Sequence, residues 1–354
     1  MDTQYNNNFS NHNSNPNTAA AGIGNTGLRF FDNNQNTFTV NNVEIDIEKL
    51  ANPDGGAGFR VDLSAGEDAR GLKAINTSAA ANSDFYLQQA YVQWVAPLHF
   101  FEGSEVFADT VDIKTGQLIT LAGLEVIEAK DNWQISRSFM FSIGLPAVHT
   151  GVRATYGLFN DKLTTYWGIN NGWDANIDTN TFKTWEAGWS FDPTASLSFI
   201  QALYYGPENA NTQNGHRRFL ITNVASYQAT EKLALKAEFN FGAQRRIVSA
   251  TTTNFDNAQW FGIALYGRYA LTEKFGMSTR FELFRDIDQA RTQAVGAAFG
   301  TSTLWAQTIT ADYQIYENLL GRVEYRFDHS NERNAFNGQS GQSTLGVQLI
   351  YSFA

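Results

Sequence analysis

The chain has 354 residues, a net charge of −10 and a mean hydropathy of −0.33. Charged residues make up only 17% and aromatics 14%, so the polarity comes from Asn, Gln, Ser, Thr and Gly, a composition suited to short strands and turns. The absence of Cys excludes thiol catalysis, iron–sulfur clusters and c-type haem attachment, the acidity argues against nucleic acid as a partner, and no run of about 18 apolar residues could form a transmembrane helix.

Residues 1–20 have neither a basic start nor an apolar core, so no export signal is read in this sequence. TQYNNNF (3–9) reads as a first strand. The Asn-rich stretch 10–37 reads either as the first loop or as a disordered leader. Beyond it the hydrophobic period is 2 almost throughout. Val43, Ile45 and Ile47 alternate with Glu44, Asp46 and Glu48; Phe59, Val61 and Leu63 alternate with Arg60, Asp62 and Ser64. The same holds for Leu163–Ile169, Leu233–Phe241, Phe261–Leu265, Phe275–Leu283 and Leu319–Phe327. The nearest approach to a helix is the short LAGLEVIEAKDNW (121–133).

The connections alternate in length. NPDGG (52–56), GLFND (157–161), DPTA (192–195), ATEK (229–232), LTEK (271–274) and IYEN (315–318) are short, and 96–110 is a longer turn of the same set. The stretches 66–84, 119–148, 171–182, 206–215, 245–258, 286–302 and 330–343 are long loops. Short turns at one end and long loops at the other build an all-β, antiparallel up-and-down transmembrane barrel, here of about sixteen strands. A soluble sandwich would need long crossovers between its sheets. The strands also carry charges of both signs on one face and apolar side chains on the other. Unpaired charges in a sandwich core are costly, but they can line a wet lumen. In the last strand Leu345, Val347, Leu349, Tyr351 and Phe353 therefore face lipid, with the two aromatics at an interfacial girdle, and Gln348 faces the lumen.

GLEVIEAKDNWQISRSFMF, PAVHTGVRATY and LTTYWGINNGWD within 116–174, EYRFDHSN (324–331) and STLGVQLIYSF (343–353) resemble the OmpL-like β-barrel porin family of bacterial outer membranes. Tyr5, Phe9 and Pro16 fit its opening more loosely. The resemblance implies an outer-membrane channel exported by a cleaved signal. The family ends on an aromatic residue; here Ala354 follows Phe353.

Residues 119–148 hold Glu125, Glu128, Lys130, Asp131 and Arg137, and follow the fifth strand, as does the loop that narrows general porins. They are expected to form the constriction, with acidic groups facing an arginine wall. The lumen wall is expected to carry Arg60, Arg153, Arg218, Arg268, Arg280, Arg322 and Arg326 opposite Asp62, Glu186, Glu238, Glu282, Glu324 and Asp328. These same charges could instead brace the wall as cross-strand pairs. Asp174, Asn176 and Asp178 alternate as calcium ligands do, but Thr179 and Trp185 stand where an EF-hand needs Gly and Glu, which leaves a weak candidate. No catalytic motif stands out; DHS (328–330) is suggestive in composition only. The reading is a porin for passive diffusion of small hydrophilic solutes or ions. The alternative is a structural or adhesive barrel with an occluded lumen. The expected partners are outer-membrane lipid and small polar solutes, with no cofactor; monomer or homo-oligomer stays open.

Overall fold

The computed structural model describes residues 1–9, 28–32, 34–76, 84–178, 180–208, 216–247, 256–289, 291–292, 302–333, 335–336 and 339–353. Its strands are β1 (Asp2–Asn8), β2 (Thr37–Lys49), β3 (Gly56–Ala65), β4 (Phe85–Pro97), β5 (Thr110–Ile119), β6 (Val148–Leu158), β7 (Leu163–Asn170) and β8 (Thr184–Thr194). They continue as β9 (Leu197–Pro207), β10 (Arg217–Gln228), β11 (Leu233–Ile247), β12 (Asp256–Ala270), β13 (Phe275–Asp286), β14 (Ser302–Tyr316), β15 (Leu319–Ser330) and β16 (Gly341–Tyr351). Every strand pairs antiparallel with its sequence neighbours, and β1 pairs with β16, so a sixteen-stranded sheet closes on itself. Closure leaves no edge, which is the condition for crossing a bilayer with strands.

Residues 3–9 thus belong to the first strand, which starts one residue earlier, at Asp2. Residues 10–27 lie outside the described residues. One element was missed from the sequence: α1 (Glu67–Asn76), inside the second long connection. Its signals were present. Glu67 and Asp68 open the first turn, Lys73 sits in the last, and Asp68, Ala69, Leu72 and Asn76 are buried. Residues 121–133 hold only one tight helical turn, Ala129–Asp131.

The outer surface is apolar. Val347, Leu349, Val323 and Ile309 are each between 43% and 48% exposed. Tyr227, Tyr269, Tyr313 and Tyr351 lie beside the short turns and form a girdle at that end. Such aromatic belts mark the membrane–water interface.

The inward face departs from a simple water-filled pore. Leu220, Trp260, Ala264, Phe284 and Leu304 point inward and pack on Phe139, Met140, Ile143 and Leu145 of the long connection between β5 and β6. A hydrophobic core therefore lies inside the barrel. Gly262 on β12 permits that contact, since a Cβ there would come within 2.3 Å of the Met140 sulfur. Gln348 does face inward as expected, but it is only 2% exposed. It donates to Asp2 Oδ2 at 3.0 Å and accepts from Arg322 Nη1 at 3.2 Å. An arginine at that position would lose the acceptor of Arg322 and set two cations together, so it should be destabilising despite facing inward.

Val347→Arg should cost roughly 2–4 kcal/mol near the bilayer midplane. Lys114→Gln, on the inward face and still wet, should change folding little. Refolding into vesicles, followed by heat-modifiable migration on a gel, checks both. Equal damage from the two would contradict the assigned faces.

Candidate functional site

The connection between β5 and β6 runs inside the barrel and has no strand partner. Its backbone N–H groups must be satisfied in some other way. Wall carboxylates do this. Glu324 Oε2 accepts from Ile135 N at 2.6 Å, and Oε1 accepts from Ser136 N at 3.0 Å and from the Ser136 hydroxyl at 2.5 Å. Glu282 Oε2 accepts from Phe139 N at 2.6 Å, and Glu238 Oε2 from Leu124 N at 3.2 Å. The connection's carbonyls meet wall arginines. Arg322 donates to Ala129 O and Asn132 O, Arg326 to Arg137 O, and Arg280 to Ser136 O, over 2.5–2.8 Å. Bonds of this kind to charged groups contribute about 1.5–3 kcal/mol each. Gly123, at φ +88°, makes the entry turn, and a Cβ there would meet Leu145 at 2.5 Å.

All thirteen expected wall residues lie on the inward face of their strands. Many are joined to one another. Arg60 pairs with Asp62, Asp46 and Glu48; Arg153 pairs with Glu186; Arg268 pairs with Asp312. Arg280, Glu282, Arg326 and Asp328 form a fully buried chain, with Glu125 added at 2.5 Å from Arg280. Arg218 stands apart, with both Nε and Nη2 on Gln244 Oε1.

The five residues of the expected constriction separate into two groups. Glu125 and Arg137 are buried. Glu125 bridges Arg280 and Ser138 N, and Arg137 donates to Val126 O, Ile127 O and Ile135 O. Arg137 therefore folds the connection on itself. Glu128 accepts from Gln88 Nε2 on β4, at 2.6 Å, so it reaches the opposite wall from the arginines. Lys130 and Asp131 remain exposed.

The calcium candidate does not assemble around a common centre. Asp174 Oδ1 accepts from Ala147 N and Val148 N, while Asp178 pairs with Lys183. Among the described residues, the group of three carboxylates with oxygens mutually within 4.8 Å is Glu44, Asp46 and Asp62, and Arg60 already neutralises two of them. In DHS, alternation sends His329 outward onto Trp305, at 5.5 Å between rings, while Asp328 and Ser330 point inward. The three do not form a catalytic relay.

At the long-loop end, Trp173 lies between two cations. The guanidinium of Arg218 is 4.4 Å from its ring centroid, and that of Arg291 is 5.1 Å away. Burial pushes the nearby carboxyls up, Asp174 to about 6 and Glu208 to about 7, while the two arginines pull the other way. Sequence reasoning missed Arg291, Glu208 and Trp173, which sit in connections with no period to read.

An antiparallel barrel with an apolar exterior, charges of both signs inside and a long connection folded into the lumen is the architecture of an outer-membrane channel. The family model described as "Putative beta-barrel porin-2, OmpL-like" matches residues 1–353, and the chain belongs to that family. It is an outer-membrane porin. No curated protein matches the chain. The outer membrane channel DcaP of Acinetobacter baumannii shares the fold with a TM-score of 0.63 at 11% identity, over 99% of this chain and 94% of that one. Salmonella typhi OmpF, solved in complex with daunomycin, matches with a TM-score of 0.58 at 13% identity, over 99% and 96%. An anion-selective porin from Comamonas acidovorans matches with a TM-score of 0.57 at 11% identity, over 89% and 92%.

Two outcomes are expected. Glu324→Ala strips acceptors from two backbone N–H groups and should destabilise the inward connection by about 2–6 kcal/mol, about 1–3 for each donor left unsatisfied. Trypsin should then cut after Lys130 and channel recordings should become noisier; resistance equal to wild type would contradict the clasp. The second outcome concerns pH. The raised values of Asp174 and Glu208 mean the folded state holds more protons than the unfolded one above about pH 4. That contribution to stability is present at low pH and is lost as pH rises through about 6 and about 7. Acidification from pH 8 to 5 adds up to about two positive charges at this end. The reversal potential in a salt gradient should move toward anions, and Glu208→Gln should remove part of that shift.

Proposed function

We propose that small hydrophilic solutes or ions diffuse passively between the inward connection and the β2–β5 side of the wall, and that residues 119–148 narrow this route. The observation that carries the reading is the asymmetry of the lumen. On β13 and β15 the inward charges Arg280, Glu282, Arg326 and Asp328 are sealed beneath the connection. On β2, β3 and β5 the side chains of Asp46, Glu48, Arg60, Asp112 and Lys114 keep 27–44% of their surface in water. A cavity of about 360 Å³ lies at the short-turn end, bordered by Trp133, Leu197 and Leu235 as well as Lys236, Ser226 and Gln228. Side-chain charges of both signs along a wet path set ion preference by their local field.

Lys130 and Asp131 are the exposed charges of the narrowing segment and are assigned to the passage. Glu125 and Arg137 hold it in place, and Glu128 tethers it toward β4. A second reading, a barrel closed to solutes, draws on residues 28–32 and α1. Arg29 pairs inside the barrel with Asp328, and Phe31 packs on Leu72 beneath the β5–β6 connection.

Single-channel conductance in a planar bilayer separates the two. Discrete openings are expected, and Asp131→Asn should shift the reversal potential toward anions without altering heat-modifiable migration. Silence from well-folded protein would favour the closed barrel. An unchanged reversal potential would remove Asp131 from the route.

A further inference from the structure

The inward arginines fall into two kinds. Arg60, Arg153, Arg268, Arg280 and Arg326 each lie within 4 Å of a carboxylate, and Arg322 is capped by main-chain carbonyls. Arg218, at the start of β10, and Arg291, just beyond β13, differ. Among the described residues neither has a carboxylate oxygen within 4 Å. Arg218 uses Nε and Nη2 on the neutral Gln244 Oε1, at 2.9 and 2.7 Å, and Arg291 uses Nε on Ile143 O at 2.6 Å. No described residue accepts from Nη1 of Arg218 or from either Nη of Arg291.

The acids nearby are already engaged elsewhere. Glu208 accepts from Trp173 N and the Thr184 hydroxyl, both at 2.7 Å. Asp174 accepts from the backbone of residues 147 and 148. Asp286 Oδ2 takes the backbone N–H groups of Arg291 and Thr292. These bonds fix the loops and leave the guanidinium edges without a carboxylate acceptor among the described residues. Both arginines are half-buried and lie over the ring of Trp173, and Arg291 also lies 5.5 Å from the Trp260 ring centroid. Stacking orients a planar fork while keeping its N–H edge available.

We propose that Arg218 and Arg291, set on Trp173 and Trp260 at the long-loop end of the lumen, form a binding site for a small oxyanion, a carboxylate or a phosphate. A guanidinium fork matches both anions in geometry, and two half-buried cations that have no carboxylate oxygen within 4 Å among the described residues gain from one. The Ile143 carbonyl that holds Arg291 belongs to the inward connection, so an anion here sits beside the narrowing segment. Occupancy would concentrate anions at the outer mouth. The site does not depend on conduction, since binding can be read in a barrel that conducts or in one that does not.

The test uses the full-length protein, folded in detergent and checked by heat-modifiable migration. Inorganic phosphate and sodium acetate are titrated separately by calorimetry, with tryptophan fluorescence as a second readout and sodium chloride at matched ionic strength as the reference. Saturable binding of one or both oxyanions beyond the chloride response is expected, and which of them binds identifies the source. Arg218→Gln and Arg291→Gln should each weaken binding by roughly tenfold or more. Arg218→Lys, which keeps the charge and loses the fork, should fall between wild type and Arg218→Gln. Arg70→Gln, at an arginine of α1 paired with Glu67 and Asp84, should bind as wild type does. A response that follows ionic strength alone, or equal affinity in wild type and both folded Gln variants, would overturn the site.

Discussion

A stretch of irregular chain inside a closed barrel has no strand to pair with, and the rest of this structure depends on how its backbone is satisfied. Buried main-chain N–H and C=O groups must find partners. Here the wall supplies them with side chains: Glu324, Glu282 and Glu238 accept, and Arg322, Arg326 and Arg280 donate. Charges that would otherwise only line a wet lumen thus become a scaffold for the segment folded into it. The same arrangement explains why the charges come in both signs. A carboxylate that receives a backbone N–H still needs a cation beside it, and Arg280 and Arg326 both lie against Glu282.

The apolar contacts inside the barrel follow from that clasp. Once residues 135–139 are pinned on β13 and β15, the next turn, Met140–Gly144, falls against β12 and β13. Inward Trp260, Phe284 and Leu304 then exchange water for Phe139 and Met140. Burial of such side chains contributes about 1.5–3 kcal/mol each. On β2, β3 and β5, by contrast, Asp46, Glu48, Arg60, Asp112 and Lys114 keep their side chains partly in water. One anchored segment therefore divides the lumen into a sealed side and a wet side. The second and first long connections add to the inner layer, with Phe31, Ala69 and Leu72 packed on Ile127 and Val148.

Sequence alone determined the barrel. A period of 2 places each side chain on a face, and alternating short and long connections order the strands, so the closing strand β16 and the lipid face of Leu345–Tyr351 were legible. It also determined which charges point inward, because facing is a local property of a strand. It did not determine what those charges touch. The approach of Glu125 to Arg280, or of Arg322 to Ala129, joins residues about 150 to 190 positions apart through an aperiodic segment, and no local rule sets such a contact. Only the tertiary structure decided that Glu125 and Arg137 hold the inward segment while Lys130 and Asp131 stay in water, and that Arg218 and Arg291 meet over Trp173 with no described carboxylate oxygen within 4 Å. The physical reason is that strand pairing is governed by neighbours in sequence, whereas the lumen is filled by whichever distant side chains can satisfy an unpaired backbone.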